Sequence, residues 1–349
     1  MTRLRRVSCA APGLTRRRRG KGFEYLDAAG NRVTDEATVE RIKSLVIPPA
    51  WEDVWICPIA NGHVQATGVD ARGRRQYRYH DAWRTQRDLE KHDRVLEFAA
   101  RLPEARERML VQLRSTAELT RERVLACAVR LIDVGFFRVG GEQYAEENGS
   151  YGLATLRKDH VRVLAGGVVE LEFVGKSGKL WQRSVVEPEV VDVVRRLKRR
   201  RGGGPELLAY RRDALWVDVK SGDINAFLRE ITDTDATAKD FRTWSATVLA
   251  AVGLAVSTQA ATSPTARKRA VTRVVKEVAE QMGNTPAVCR SSYIDPRVVD
   301  LYENGTTIAA DLTALGADAS YGEPAFQGAV EAAVLRMLRE EPEDQRLAG

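Results

Sequence analysis

From about position 23 to position 80, apolar and polar side chains alternate in short runs broken by turn residues, the period of half-buried strands. Phe23 to Asp27, Val54 to Cys57 and His63 to Val69 read as strands, with Ala28-Ala29-Gly30-Asn31 as a turn and Gln76 to Tyr79 continuing the sheet. A short helix from about Asp35 to Val46 and an extended Pro48-Pro49 interrupt them. From about residue 82 the period changes to that of a helix. Leu125, Ala128, Val129 and Ile132 fall at i, i+3, i+4 and i+7, with Thr120 placed as N-cap and Gly135 just past the end. Helices are expected again over 187–200, 222–231, 239–252 and 264–282. The last has Ser263 as cap, Pro264 in its first turn and an apolar stripe of Val271, Val274, Val275, Val278 and Met282.

Between these helices, residues 160–186 revert to period two. His160 to Leu164, Val168 to Val174 and Leu180 to Val186 read as a three-stranded β-meander, joined by Ala165-Gly166-Gly167 and Gly175-Lys176-Ser177-Gly178-Lys179, which puts Lys176 at a hairpin tip. The fold class is α+β: a small, mostly β N-terminal domain over residues 1–84 and a larger, mainly helical domain over 85–349 that carries the meander. The tail after about Arg339 is acidic and expected to fray.

Composition supports two ordinary cores. The chain has 349 residues, 44% of them hydrophobic and 30% charged, too apolar for a disordered chain. The longest apolar run, Val248 to Val256, is about half of a membrane span. Cys9, Cys57, Cys127 and Cys289 lie far apart with no C-x-x-C, which predicts neither a zinc site nor a disulfide framework and suits a reducing, cytoplasmic compartment. With 55 Lys and Arg against 48 Asp and Glu, the net charge is +7, and the excess is clustered. A basic N-terminal arm holds Arg3, Arg5, Arg6, Arg16 to Arg19 and Lys21; a second cluster runs from Arg72 to Arg78 and a third from Arg195 to Arg201. Each alone is as well read as a solvated face or flexible arm. Together they point to a polyphosphate such as nucleic acid, bound through counterion release, and away from a membrane, because none adjoins an amphipathic helix with a large apolar face.

Metal and nucleotide chemistry find little support. His63, His80, His92 and His160 are scattered, and neither a metal-ligand spacing nor a G-x-x-x-x-G-K-[ST] loop occurs. A reaction without metal or other cofactor is the expectation. What does stand out is an ordered series: Gly73-Arg74-Arg75-Gln76-Tyr77-Arg78-Tyr79, Gly135-Phe136-Phe137-Arg138-Val139-Gly140, Tyr151-Gly152-Leu153-Ala154-Thr155-Leu156, Phe173-Val174-Gly175-Lys176, Lys239-Asp240-Phe241-Arg242-Thr243-Trp244, then Gly283-Asn284-Thr285-Pro286 and Ser291-Ser292-Tyr293-Ile294. From about Ile47 to Pro296 the chain resembles the type IB DNA topoisomerases, in particular their compact poxvirus-like branch in bacteria.

That resemblance implies two domains closing as a clamp around double-stranded DNA, and a monomer working in the cytoplasm at the nucleoid. It also implies residue roles. Tyr293 corresponds to the family's nucleophile, which attacks a backbone phosphorus to give a 3′-phosphotyrosyl link and a free 5′-hydroxyl. Arg138 and Arg242 correspond to the two arginines that hold the non-bridging oxygens, a task for fixed, always protonated donors. Lys176 corresponds to the general acid for the leaving 5′-oxygen, a role that burial beside the arginines would assist. Lys239 is a neighbouring DNA contact. At position 284 the chain departs from viral and eukaryotic members, where a histidine donates to a non-bridging oxygen; Asn284 can donate but cannot be cationic. Tyr77, Tyr79 and Tyr144 correspond to DNA-contacting tyrosines, and Arg74 and Gln76 are placed to reach base edges. Two other readings stay open. A tyrosine recombinase shares the Arg, Lys, Arg, Tyr chemistry but usually shows H-x-x-R where this chain has Lys239-Asp240-Phe241-Arg242, and a DNA clamp without catalysis would keep the same surface.

Overall fold

The computed structural model describes residues 3–142, 145–146, 149–318 and 327–340. By internal contacts the chain divides into two compact units, Met1–Lys91 and His92–Gly349. The division falls inside one helix, α2 (Asp81–Arg114), so no Gly- or Pro-rich linker marks it in the sequence.

The first unit is an antiparallel five-stranded sheet in the order β2-β1-β3-β4-β5, built from β1 (Leu14–Arg19), β2 (Gly22–Leu26), β3 (Glu52–Ile56), β4 (Val64–Val69) and β5 (Arg75–Tyr79). Helix α1 (Glu36–Ser44) starts where the Asp35 carboxylate accepts the Thr38 N–H, and it lays Ile42 on Val54, Ile56 and Ala66. The arginine run expected as a free basic arm is instead β1, paired with β2 and β3. Alternation on a strand turns Arg16 inward, where its guanidinium donates to the carbonyls of Ile47 (3.1 Å), Pro48 (2.9 Å) and Trp51 (2.7 Å) and lies 4.2 Å from the Phe23 ring centre. The Pro48-Pro49 loop has carbonyls that no strand satisfies, and an arginine offers enough donors for them.

The second unit holds the large core. Helix α3 (Arg121–Gly135), capped by the Thr120 side chain, is buried along most of its length and packs on α4 (Pro188–Arg199), α5 (Ser221–Thr232) and α6 (Ala238–Ser257). The meander is β6 (Val161–Leu164), β7 (Val168–Val174) and β8 (Leu180–Val185) in sheet order. A hairpin of β9 (Ala209–Arg212) and β10 (Leu215–Asp218), not anticipated from the sequence, follows α4. After α6 come α7 (Pro264–Gln281), α8 (Pro286–Ser292), α9 (Pro296–Glu303), α10 (Ala309–Asp318) and α11 (Ala329–Arg339). Helix α6 runs past the end expected at residue 252 because Gly253 faces Val274 of α7; a Cβ there would sit 3.0 Å from a Val274 methyl, so glycine permits the close crossing.

Two sequence expectations change for a packing reason. Gly135 lies inside α3 rather than past it: a Cβ there would stand 2.2 Å from the Phe137 ring, and the left-handed turn falls to Phe136 at φ 56°. In the Arg195 to Arg201 run, Arg200 is buried and donates to the carbonyls of Leu207 (2.8 Å), Leu197 and Glu206, while the Lys198 ammonium donates to the Val161 carbonyl. Those two cations hold structure together rather than facing solvent.

Candidate active site

Helix α6 begins at a capping box in which Asp240 accepts from the Thr237 N–H and hydroxyl, both at 2.8 Å, and pairs with Arg94 at 3.0 Å. This fixes the first turn, so Lys239 and Arg242, three residues apart, share one face. Arg242 is 3% exposed. Its guanidinium donates to the Phe136 carbonyl, aimed by the left-handed Phe136 backbone, and to the Met282 carbonyl at 2.8 Å. Both partners are backbone, so side-chain rotation cannot release them.

Arg138 follows α3 in an irregular segment held by a close backbone approach. Leu153 and Ala154 donate to the carbonyls of Arg138 (2.9 Å) and Val139 (2.7 Å), and a Cβ on Gly152 would lie 2.4 Å from the Gly140 Cα and 2.9 Å from the Arg138 carbonyl oxygen. Glycine at 140 (φ +80) and 152 is therefore a condition for placing Arg138. Its Nη2 donates to the Gly283 carbonyl at 3.2 Å and to Asn284 Oδ1 at 2.6 Å.

Tyr293 ends α8, which Thr285 caps. Its N–H donates to the Cys289 carbonyl, and the Thr247 hydroxyl of α6 lies 3.3 Å from its carbonyl oxygen while accepting the Asp295 N–H at 3.1 Å. Asp295 then caps α9 and binds Arg297. The half-buried ring lies 5.3 Å from the Arg242 guanidinium carbon. Lys176 stands on the β7–β8 hairpin, where Gly175 donates to the Lys179 carbonyl at 2.8 Å and Ser177 turns left-handed. It is exposed on that tip.

Arg138, Lys176, Lys239, Arg242 and Tyr293 line one cavity of about 290 Å³, together with Gly140, Gly141, Ser150 and Tyr151. Asn284 joins them through Arg138. Burial, and then the charge of Arg138, push the Arg242 pKa down to about 10, with Tyr293 acting the other way. Arg242 stays cationic at neutral pH, and two guanidiniums sharing a cavity disfavour each other until an anion sits between them. Burial pushes the Cys289 thiol up to about 11, which leaves it unsuited as a nucleophile beside Tyr293. Among the described residues no group of three or more His, Cys, Asp or Glu could hold a metal ion, and no helix is long and apolar enough to cross a membrane.

Four of the remaining candidates, Arg74, Gln76, Tyr77 and Tyr79, lie in the first unit. On β5, Arg75, Tyr77 and Tyr79 share the exposed face, with the two tyrosine rings stacked 5.9 Å apart. Arg74 and Gln76 both reach the Asp70 carboxylate, at 2.8 Å each, and the Arg74 bond holds that carboxyl well below its usual range. Tyr144 lies outside the described residues. Nothing in the sequence pointed to Thr247 or Trp181, and Gly152 stood out only as part of the motif from Tyr151 to Leu156, with no role attached.

Residues 80–314 match the family described as Eukaryotic DNA topoisomerase I, catalytic core, and residues 22–70 match Bacterial DNA topoisomerase IB, N-terminal domain. DNA topoisomerase 1B of Acanthamoeba polyphaga mimivirus is 30% identical over 299 residues, 84% of this chain and 88% of the viral protein. DNA topoisomerase 1 of Daucus carota is 29% identical over 130 residues, 37% of this chain but 15% of the plant protein. DNA topoisomerase 1 of Schizosaccharomyces pombe is 29% identical over 162 residues, 46% of this chain and 19% of the yeast protein.

Proposed function

The chain belongs to the type IB DNA topoisomerases, and from that premise we propose that it relaxes supercoiled duplex DNA by metal- and ATP-independent transesterification at the cavity between Arg138 and Tyr293. The observation that carries this reading is the convergence of Arg138, Lys176, Arg242 and Tyr293 on that one cavity, with Asn284 bonded to Arg138.

The Tyr293 oxygen attacks the phosphorus in line and gives up its proton to solvent water. The bond from tyrosine oxygen to phosphorus forms as the bond to the 5′-oxygen breaks, and Lys176 protonates that oxygen as it leaves. Negative charge builds on the two non-bridging oxygens, where the Arg138 and Arg242 guanidiniums already stand on backbone and amide partners and so pay little reorganisation. Asn284 gives a neutral N–H to the same oxygens. The phosphotyrosyl link conserves the phosphodiester energy, so the 5′-hydroxyl attacks it after strand rotation and reseals the strand without ATP. The two units act as a clamp on DNA, with Tyr77, Tyr79, Tyr144, Arg74, Gln76 and Lys239 as contacts. The enzyme works as a monomer at the nucleoid in the cytoplasm, consistent with its net charge of +7.

Purified protein and negatively supercoiled plasmid, incubated in EDTA without ATP, test the activity. A ladder of relaxed topoisomers is expected. Paired-site exchange products would replace the proposal with recombination, and a mobility shift alone would replace it with a non-catalytic clamp. Tyr293→Phe should bind DNA and form no covalent adduct; an adduct in that variant overturns the nucleophile.

A further inference from the structure

Lys176 sits on an exposed hairpin, yet a general acid must meet the leaving oxygen within hydrogen-bond reach, so something has to hold that hairpin to the rest of the site. The indole of Trp181, on β8, is 5% exposed and touches three of the elements involved. A Cβ on Gly175, the residue before Lys176, would lie 2.6 Å from its Cδ1 and 2.8 Å from its Nε1. A Cβ on Gly283, the residue before Asn284, would lie 2.6 Å from its Cζ2. The Arg138 guanidinium carbon is 5.9 Å from the same ring system, and Arg183 lies over it at 4.9 Å while donating to the Gln281 carbonyl at 2.6 Å. Phe137 closes the pocket at 6.1 Å.

These contacts do not have equal consequences. Arg138 and the 283–284 turn are already joined by hydrogen bonds, at 3.2 Å to the Gly283 carbonyl and 2.6 Å to Asn284, and would keep their places without the indole. The stem of the Lys176 hairpin has ladder bonds to β8, but its Gly175 end meets the Arg138 side of the site through the Trp181 indole, which also touches Gly283. Both glycines lack a Cβ where the ring passes, so the fit has no slack on either side.

We propose that Trp181 is a positioning residue for catalysis: its indole, clasped between Gly175 and Gly283, sets the reach of Lys176 to the leaving 5′-oxygen. The inference rests on the assignment of Lys176 as general acid. It predicts a selective defect. With the indole gone, attack and charge stabilisation should persist while proton delivery falters.

Single-turnover cleavage of two DNA substrates tests this, one with an ordinary phosphodiester and one with a 5′-bridging sulfur, whose thiolate leaves without a proton. Trp181→Ala should cleave ordinary DNA on the order of 10- to 100-fold more slowly than wild type and recover to within about 3-fold on the sulfur substrate, the scale expected for a group misplaced by about an ångström. Trp181→Phe, which keeps a ring between the glycines, should remain within about 5-fold of wild type on both. Should Trp181→Ala not fold, Gly175→Ala, whose methyl pushes the hairpin off the ring, must show the same sulfur-rescued defect. Equal slowing on both substrates, or undiminished cleavage of ordinary DNA, overturns the proposal. Lys176→Ala is the reference: if sulfur does not rescue it, the general-acid reading is what fails, whereas rescue of Lys176→Ala without rescue of the Trp181 or Gly175 variant sinks the positioning role alone.

Discussion

Arg138 Nη2 donates to Asn284 Oδ1 at 2.6 Å, and that single bond decides what Asn284 can do. With the amide oxygen committed to the guanidinium, the Nδ2 group is left as a donor, buried and without a hydrogen-bond partner among the described residues. A buried donor without an acceptor is costly, on the order of 1–3 kcal/mol, and an arriving phosphate oxygen would relieve it. The amide is thus set as a neutral hydrogen-bond donor by the arginine beside it.

A pH profile follows from this arrangement. A cation whose pKa is lowered keeps its proton below the lowered value and loses it above; Arg242, pushed down to about 10, is fully charged from pH 5 to 8. Asn284 does not titrate in that range. Single-turnover cleavage should show no histidine-type limb between pH 5 and 8, whereas Asn284→His should be active and acquire one. Asn284→Asp, which neutralises Arg138, should lose on the order of 100-fold in cleavage rate. Quenched-flow measurement of adduct formation across that range checks all three, and an inactive Asn284→His would argue against the placement of this residue at the phosphate.

Gly152→Ala should damage the site through the backbone of two residues that line the cavity. The added methyl would meet Gly140 Cα at 2.4 Å and the Arg138 carbonyl oxygen at 2.9 Å, both backbone atoms that cannot swing aside. A loss of about 1–3 kcal/mol in stability is expected from overpacking. A fall of about 100-fold in cleavage is expected from the displaced arginine. Urea unfolding and adduct formation, measured on the same preparation, separate the two; wild-type cleavage would show that Arg138 does not depend on this backbone contact.

Tyr302, nine positions after Tyr293, is a second tyrosine that could be weighed as nucleophile, and the two residues differ in surroundings. Tyr302 is 3% exposed in the core, and its hydroxyl has no hydrogen-bond partner among the described residues. Tyr302→Phe should therefore leave adduct formation intact and raise stability by up to about 1 kcal/mol, since it removes a buried, unsatisfied hydroxyl. Thermal melts and trapping of the covalent complex check the two halves. Loss of the adduct would reverse the assignment.

The sequence by itself determined most of the elements and their order, though not β1 or the β9–β10 hairpin. Period two before residue 80 and in 160–186, period 3.6 elsewhere, Ser263 and Thr120 as caps and the glycine-rich hairpin around Lys176 are local features, because a helix or strand forms from neighbours a few positions apart. Arg138, Lys176, Arg242, Asn284 and Tyr293 stood out in the sequence too, as candidates within motifs in a recognisable order. Their meeting did not. These side chains span 155 positions, and only packing brings four of them to one cavity and Asn284 to Arg138: Gly152 against Gly140, Arg242 against the carbonyls of Phe136 and Met282, Thr247 under the Tyr293 backbone. The same limit hid the inward turn of Arg16, the structural use of Arg200 and the place of Trp181 between two glycines. A charge run looks solvated, and a tryptophan looks like core, until the carbonyls and glycines that receive them are known. Those partners come from distant parts of the chain, where periodicity carries no information.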